Sequence, residues 1–286
     1  MPPLSLPTER TAQPFEQAVN LSYVNDNENT PSRDTISFLG IEFENVDMQQ
    51  ALRRCEQLVG SNNFHYVTTP NVDHVVTMHS EQVHAMTFRQ AEVAATMRLC
   101  DSRIIALLAR LSGVHLPTVP GSDLTAELMR KVIRPGHRVA IVGGDEALLQ
   151  KLRELRPRVT FLHHVPPMGV LHDETAQDDI CRFVEAAQAD FIFLAIGAPQ
   201  SEVVARAIAR CGKARGVGLC VGASLAFLTG QLRRAPRAMQ VLHLEWLFRL
   251  LSEPRRLWRR YVLKGPRIFH IWWKYRFADR LAAPAF

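Results

Sequence analysis

Asp101 directly follows a short apolar segment, 97–100, and directly precedes an amphipathic stretch. A carboxylate at such a junction fits two roles, a helix cap or a general base. Thr69-Pro70-Asn71 closes another apolar run and offers a hydroxyl and an amide where a helix begins, again as a cap or as a ligand contact. Three further apolar runs end in small residues. They are 139–142 before Gly143-Gly144-Asp145, 191–196 before Gly197-Ala198-Pro199-Gln200-Ser201-Glu202, and 217–221 before Gly222-Ala223-Ser224. A strand that turns through glycine into a helix aims backbone N–H groups at an anion and lets a ligand approach the backbone closely. One such junction is equally well a packing device; three together favour a phosphate-bearing ligand.

Other chemistries lack their residues. There is no G-x-G-x-x-G, no G-x-x-x-x-G-K-[ST] and no G-x-S-x-G, which leaves dinucleotide, Walker-type and serine-hydrolase sites without a motif. His74, His79 and His84 stand five apart and scatter around a helix, and neither H-E-x-x-H nor a Cys/His zinc spacing occurs. The histidines read as surface or core residues, and neither a metal nor a cofactor is expected.

The elements that must position these residues follow from periodicity. Strands are expected at 36–39, 64–69, 138–142, 158–162, 190–196 and 217–221, alternating with helices at 47–59 and 179–187, each opened by an acidic cap candidate, Asp47 and Asp179. Asn71 caps a helix to about residue 78, and Ser122-Asp123 caps one that ends before Pro135. The pattern predicts an α/β fold, a mostly parallel sheet with helices on both faces, Rossmann-like, over 35–230. Residues 1–34 are polar and without period, a disordered leader; 231–286 read as a basic helical appendage.

Charge separates along the same line. Residues 233–286 hold 13 Lys and Arg against Glu245, Glu253 and Asp279, a net +10, which leaves −4 on 1–232. A segregated basic patch points to a polyanionic partner, nucleic acid or an anionic membrane surface. No run reaches the roughly 18 apolar residues of a spanning helix. The five cysteines are scattered and odd in number, which suits free thiols in a reducing compartment. No secretory signal is readable at the N-terminus, so the cytoplasm is expected.

Taken in order, the residues resemble the WecG/TagA/CpsF family of bacterial glycosyltransferases over about 36–264. The tail carries most of the resemblance: Arg234-Ala235-Pro236-Arg237, Leu244-Glu245-Trp246-Leu247-Phe248-Arg249-Leu250 and Glu253-Pro254-Arg255-Arg256-Leu257-Trp258-Arg259-Arg260-Tyr261. Thr69-Pro70-Asn71, Gly121-Ser122-Asp123-Leu124, Val142-Gly143-Gly144, Pro166-Pro167-x-Gly169 and Gly197-Ala198-Pro199 fall where the family has its other motifs. The resemblance implies an inverting, metal-independent transfer from a UDP-sugar (N-acetylmannosamine, its uronic acid or glucose) to a polyprenyl-diphosphate-linked acceptor during assembly of a surface polysaccharide. It implies Asp101 as the base and Thr69, Asn71, Gly143, Gly144, Gly197, Pro199, Gln200, Glu202 and Gly222 around the substrates. Arg234, Arg237, Arg255, Arg256 and Arg259 are assigned to a diphosphate.

The basic tail from about 233 onward is expected to dock the protein on the inner face of the cytoplasmic membrane. Interleaved tail aromatics fit that reading, with Trp246 buried and Trp272 and Trp273 exposed, and only some of Arg255, Arg256, Arg259 and Arg260 able to face one plane. Three departures from the family pattern stand out: Ser102 for the Gly after the catalytic Asp, Gln200-Ser201-Glu202 for Lys-Gln-Glu, and Ala226 for an Asp. They admit an alternative, a catalytically inactive member serving as a scaffold in an assembly complex. A nucleic-acid binder rests only on the basic, aromatic tail, and no nucleic-acid module accompanies it.

Overall fold

In the computed structural model the described residues are 34–236, 239 and 244–281, without the side chains of 278–281. The expected leader lies, except for Asp34, outside them, and so does Arg237.

The first two strands form a unit of their own. β1 (Thr35–Phe38) and β2 (Ile41–Glu44) pair antiparallel in the register Thr35 to Glu44 and Phe38 to Ile41. Leu39 and Gly40 both have positive φ, 53° and 78°, the backbone that a two-residue hairpin demands. The expected strand at 36–39 therefore exists, but outside the parallel sheet. The tight turn folds it back on its successor, and Phe38, Leu39, Ile41 and Phe43 are buried against helices instead.

The main sheet is parallel throughout, in the order β4-β3-β8-β7-β5-β6. Its strands are β3 (Phe64–Thr68), β4 (Met97–Arg98), β5 (Arg138–Val142), β6 (Thr160–His164), β7 (Phe191–Leu194) and β8 (Gly216–Cys220). The alternation of strand side chains assigns them to two cores. Val139, Ile141, Phe191, Phe193, Val217 and Leu219 face one side, and Ala140, Val142, Ile192, Leu194 and Cys220 the other. The first side is covered by α1 (Met48–Val59), α5 (Gly121–Glu127), α6 (Glu146–Leu155) and α9 (Ser224–Leu228). The second is covered by α7 (Glu174–Ala187) and α8 (Gln200–Cys211). A third core gathers the hairpin, α2 (Val72–Met78), α3 (Ala85–Ala94) and α4 (Arg103–Leu111).

Several helix starts follow from local chemistry. Asp47 closes a capping box with Gln50 at the head of α1, and Asn71 caps α2 by accepting from the Asp73 N–H. Two expected caps are displaced. The helix expected from Asp179 starts earlier, at Glu174, because Asp173 accepts from the Ala176 N–H. Helix α5 starts at Gly121, which places Ser122 and Asp123 inside its first turn. The strand expected at 158–162 begins at Thr160, and the one expected to reach 196 stops at Leu194, where the chain turns.

Three helices end the described chain: α10 (Glu245–Ser252), α11 (Pro254–Trp258), continued by a π-helical turn (Arg259–Lys264), and α12 (Arg267–Leu281). Leu257 and Ile268 are 2% and 1% exposed, and Ile268 enters the third core. Trp272, expected to be exposed, is half-buried and donates its indole N–H to Ser112 at 2.8 Å. Trp246 is half-buried rather than buried; Trp273 is exposed, as expected.

Candidate active site

Chain direction at the sheet's centre opens a crevice. From β3 the chain leaves toward α2 and α3, beside α8, and from β8 it leaves into α9, beside α5. Adjacent parallel strands whose successors leave for opposite faces open a ligand site at their carboxyl ends. A cleft of about 560 Å³ lies there, roofed by the C-terminal helices.

Thr69, Asn71 and Asp101 meet in it. Thr69 is 4% exposed and its hydroxyl donates to the Cys220 carbonyl at 3.2 Å, tying the ends of β3 and β8 together. Asn71 is both helix cap and cleft wall. Asp101 is not a cap; Ser102 caps α4 by accepting from the Ile105 N–H at 3.3 Å. The Asp101 backbone N–H donates to the Pro70 carbonyl at 3.0 Å, while its carboxylate accepts from the Gly121 N–H at 3.2 Å. That carboxyl is pushed up to about 7. Loss of solvent raises it most, the Gly121 N–H and His74 pull it down, Glu245 adds to the rise and Arg249 opposes it. A half-neutralised carboxylate of this kind suits proton abstraction near neutral pH.

The three glycine junctions separate into two kinds. A Cβ on Gly143 would sit 2.8 Å from Ile196 Cγ2 and 2.9 Å from the Ala195 carbonyl, so that glycine is required for packing, and neither it nor Gly144 lines the cleft. Gly197 and Gly222 line it with positive φ and open space where a side chain would project. Pro199 and Gln200 begin α8 beside it without lining it, whereas Glu202, 1% exposed, does line it. The departures from the family pattern sit at the margin. Ser201 is buried and donates to the Leu194 carbonyl at 3.0 Å, Ala226 packs on the core, and Ser102 remains in the wall as a cap.

Of the tail arginines, Arg234 and Arg256 line the cleft and Arg255 and Arg259 do not; Arg259 lies over the Trp258 ring at 5.6 Å. Arg260, one of the four adjacent arginines of which a subset is expected to face the site, lines it, and so does Arg249, which the sequence does not assign to a diphosphate. Their signal is their place in the Leu-Glu-Trp-x-x-Arg-Leu and Arg-Arg-Tyr runs. Each of these side chains has a partner. Arg234 pairs with Asp123 and, at 3.8 Å, with Glu245; Arg256 with Glu253 at 2.6 Å; Arg260 with Asp73 at 3.3 Å; Arg249 lies over Phe227 at 5.5 Å.

His74 and Glu202 were not recognisable as a pair, yet His74 Nε2 lies 3.3 Å from Glu202 Oε1. Each stands three residues beyond a strand-end motif, after Asn71 and after Pro199, at the third position of a helix whose start abuts the cleft. Behind them Glu92 accepts from the Thr68 hydroxyl at 2.8 Å. Burial lowers the His74 imidazole, but Glu202 and Glu92 outweigh it and raise it overall; burial pushes Glu92 up to about 7. Among the described residues these three are the group with the donors and spacing to hold a metal ion.

The cleft thus brings together a carboxyl pushed up to about 7, a hydroxyl and an amide, open backbone at two glycines, and four arginines. That is the apparatus of a group transfer with an anionic leaving group. The model of the Glycosyl transferase WecG/TagA/CpsF family matches residues 36–282. The chain belongs to that family.

Proposed function

Starting from a glycosyltransferase, we propose an inverting transfer from a UDP-sugar to a polyprenyl-diphosphate-linked saccharide in surface polysaccharide assembly. Asp101 takes the proton of the acceptor hydroxyl as that oxygen attacks the anomeric carbon. The bond to the departing diphosphate breaks on the opposite side, which inverts the centre. Arg249, Arg256 and Arg260 hold the charge that develops on the leaving group, with Arg234 behind them. Thr69, Asn71 and the backbone at Gly197 and Gly222 orient the substrates. The observation that carries this reading is the joint placement of Asp101, pushed up to about 7, and the arginines in one cleft. Of the replacements that suggest an inactive scaffold, Ser201 and Ala226 lie outside the cleft lining, and Ser102 lines it as the cap of α4.

The acceptor is a lipid, and the appendage fits a membrane surface. No helix among the described residues is long and apolar enough to cross a bilayer. Leu263, Trp273 and Val262 are each more than half exposed on the basic C-terminal helices. Basic residues near an anionic surface contribute about 1 kcal/mol each, and aromatic rings favour the headgroup level. The test is a panel of UDP-sugars, including those of N-acetylmannosamine, its uronic acid and glucose, offered with a short polyprenyl-diphosphate saccharide and read by product mass. A product from one donor supports the reading. Absence of product together with no calorimetric binding of UDP favours the scaffold.

A further inference from the structure

We propose that His74, Glu92 and Glu202 form a site for a divalent transition-metal cation, zinc or a similar ion, that pins three helices together behind the cleft wall. The ligands come from α2, α3 and α8, and their donor atoms all lie within 4.8 Å of one another. The three residues are 5%, 2% and 1% exposed, and each carries a buried polar atom without a hydrogen-bond partner: His74 Nδ1, Glu92 Oε1 and Glu202 Oε2. Orphaned polar atoms at that depth are costly, and here one from each residue belongs to the same small cluster.

Charge and geometry point the same way. In the forms that bind a cation, a neutral imidazole and two carboxylates, the cluster carries a charge of −2, which a divalent cation cancels; Arg98 acts on Glu92 and Arg260 on His74. Two ligands bound at about 2.1 Å to a tetrahedral centre stand about 3.4 Å apart; His74 Nε2 and Glu202 Oε1, hydrogen-bonded at 3.3 Å, would trade their shared proton for the ion with little movement. The Thr68 hydroxyl bonded to one oxygen of Glu92 orients the other, as outer hydrogen bonds do for metal-bound carboxylates. His74 and Glu202 line the cleft and Glu92 does not, so an ion enters from the cleft and settles behind its surface. Because Asn71 heads the helix that carries His74, the cation would fix the Thr69-Asn71 wall against α8.

The experiment uses the full chain, stripped with a chelator, desalted and titrated with cobalt(II). Wild type should develop the visible absorption of a low-coordinate cobalt site at one equivalent, zinc should displace it, and zinc should raise the Tm. Glu92→Gln and His74→Gln should each lose the cobalt band and the zinc-dependent rise. A control variant, His84→Gln, should keep both. A Tm of the variants in chelator equal to or above that of stripped wild type establishes that they fold. Absence of stoichiometric cobalt binding to wild type overturns the proposal, as does an unchanged band in folded Glu92→Gln. Since the readout is cation binding, either failure leaves the transferase reading untouched.

Discussion

Replacing Asp101 by Asn should make the protein inactive and more stable at once. The amide keeps the shape and can still accept from the Gly121 N–H, but it cannot take a proton. Loss of a general base lowers rate by about 10²- to 10⁴-fold. The stability gain follows from the same carboxyl, which rises from 3.8 to about 7 on folding. Folding therefore opposes its ionisation, so the native state holds the proton longer and stability falls as pH climbs between those values. About three units at 1.36 kcal/mol each set a ceiling of about 4 kcal/mol. Asp101 is only half-buried, and solvent screening reduces that to about 1–2 kcal/mol. For a chain of this size the gain corresponds to a Tm increase of roughly 2–8 °C. The increase should grow from pH 4 toward pH 7 and level off above it, while wild-type kcat/KM climbs with pH and flattens above about 7. The assays are calorimetry across pH and transfer to a lipid-linked acceptor. Wild-type turnover in the asparagine variant would refute the base assignment, and a lower Tm at pH 8 would refute the burial argument.

Arg260→Ala should raise the KM for the diphosphate-bearing substrate about 10- to 100-fold, the worth of one charge-assisted hydrogen bond, whereas Arg255→Ala, outside the cleft, should leave it unchanged; equal effects would contradict the division of the two. Ile268→Ala should destabilise the whole protein by about 2–4 kcal/mol in denaturant titration, because α12 is seated in the third core; a loss confined to the C-terminal helices would show otherwise. Trp273→Ser with Leu263→Ser should abolish flotation with anionic vesicles while leaving the Tm within about 2 °C of wild type. Unaltered flotation would remove these two residues from the membrane contact.

Much of the architecture was legible because a parallel sheet buried on both faces writes itself as continuous apolar runs. The runs at 138–142 and 217–221 match β5 and β8 within one residue. The hairpin was not legible, since 36–39 reads as any other apolar run and its partner is four residues long with two glutamates. Strand β4 is two residues, too short for any period, and is fixed only by pairing with β3. Asp101 could be singled out, but its freedom from capping duty depends on Ser102 doing that work, which only coordinates reveal. The glycine junctions looked alike in sequence; what separates Gly143 from Gly222 is whether a neighbour occupies the space of a side chain. The His74, Glu92 and Glu202 cluster joins helices far apart in the chain, and no local spacing announces it.

The arginines of the cleft already have company, and this changes what recognition of an anion involves. Arg234, Arg256 and Arg260 are matched by Asp123, Glu253 and Asp73, while Arg249 lies over the Phe227 ring. The basic tail draws an anion from a distance, and discrimination falls to the moment of contact. On the proposed reading, a diphosphate entering the cleft displaces carboxylates from guanidinium groups that are already oriented, so capture becomes a swap of partners. On the same reading, departure would run the swap backwards: the displaced carboxylates would reclaim the arginines and help to expel the product, which would turn the same pairs into a release mechanism.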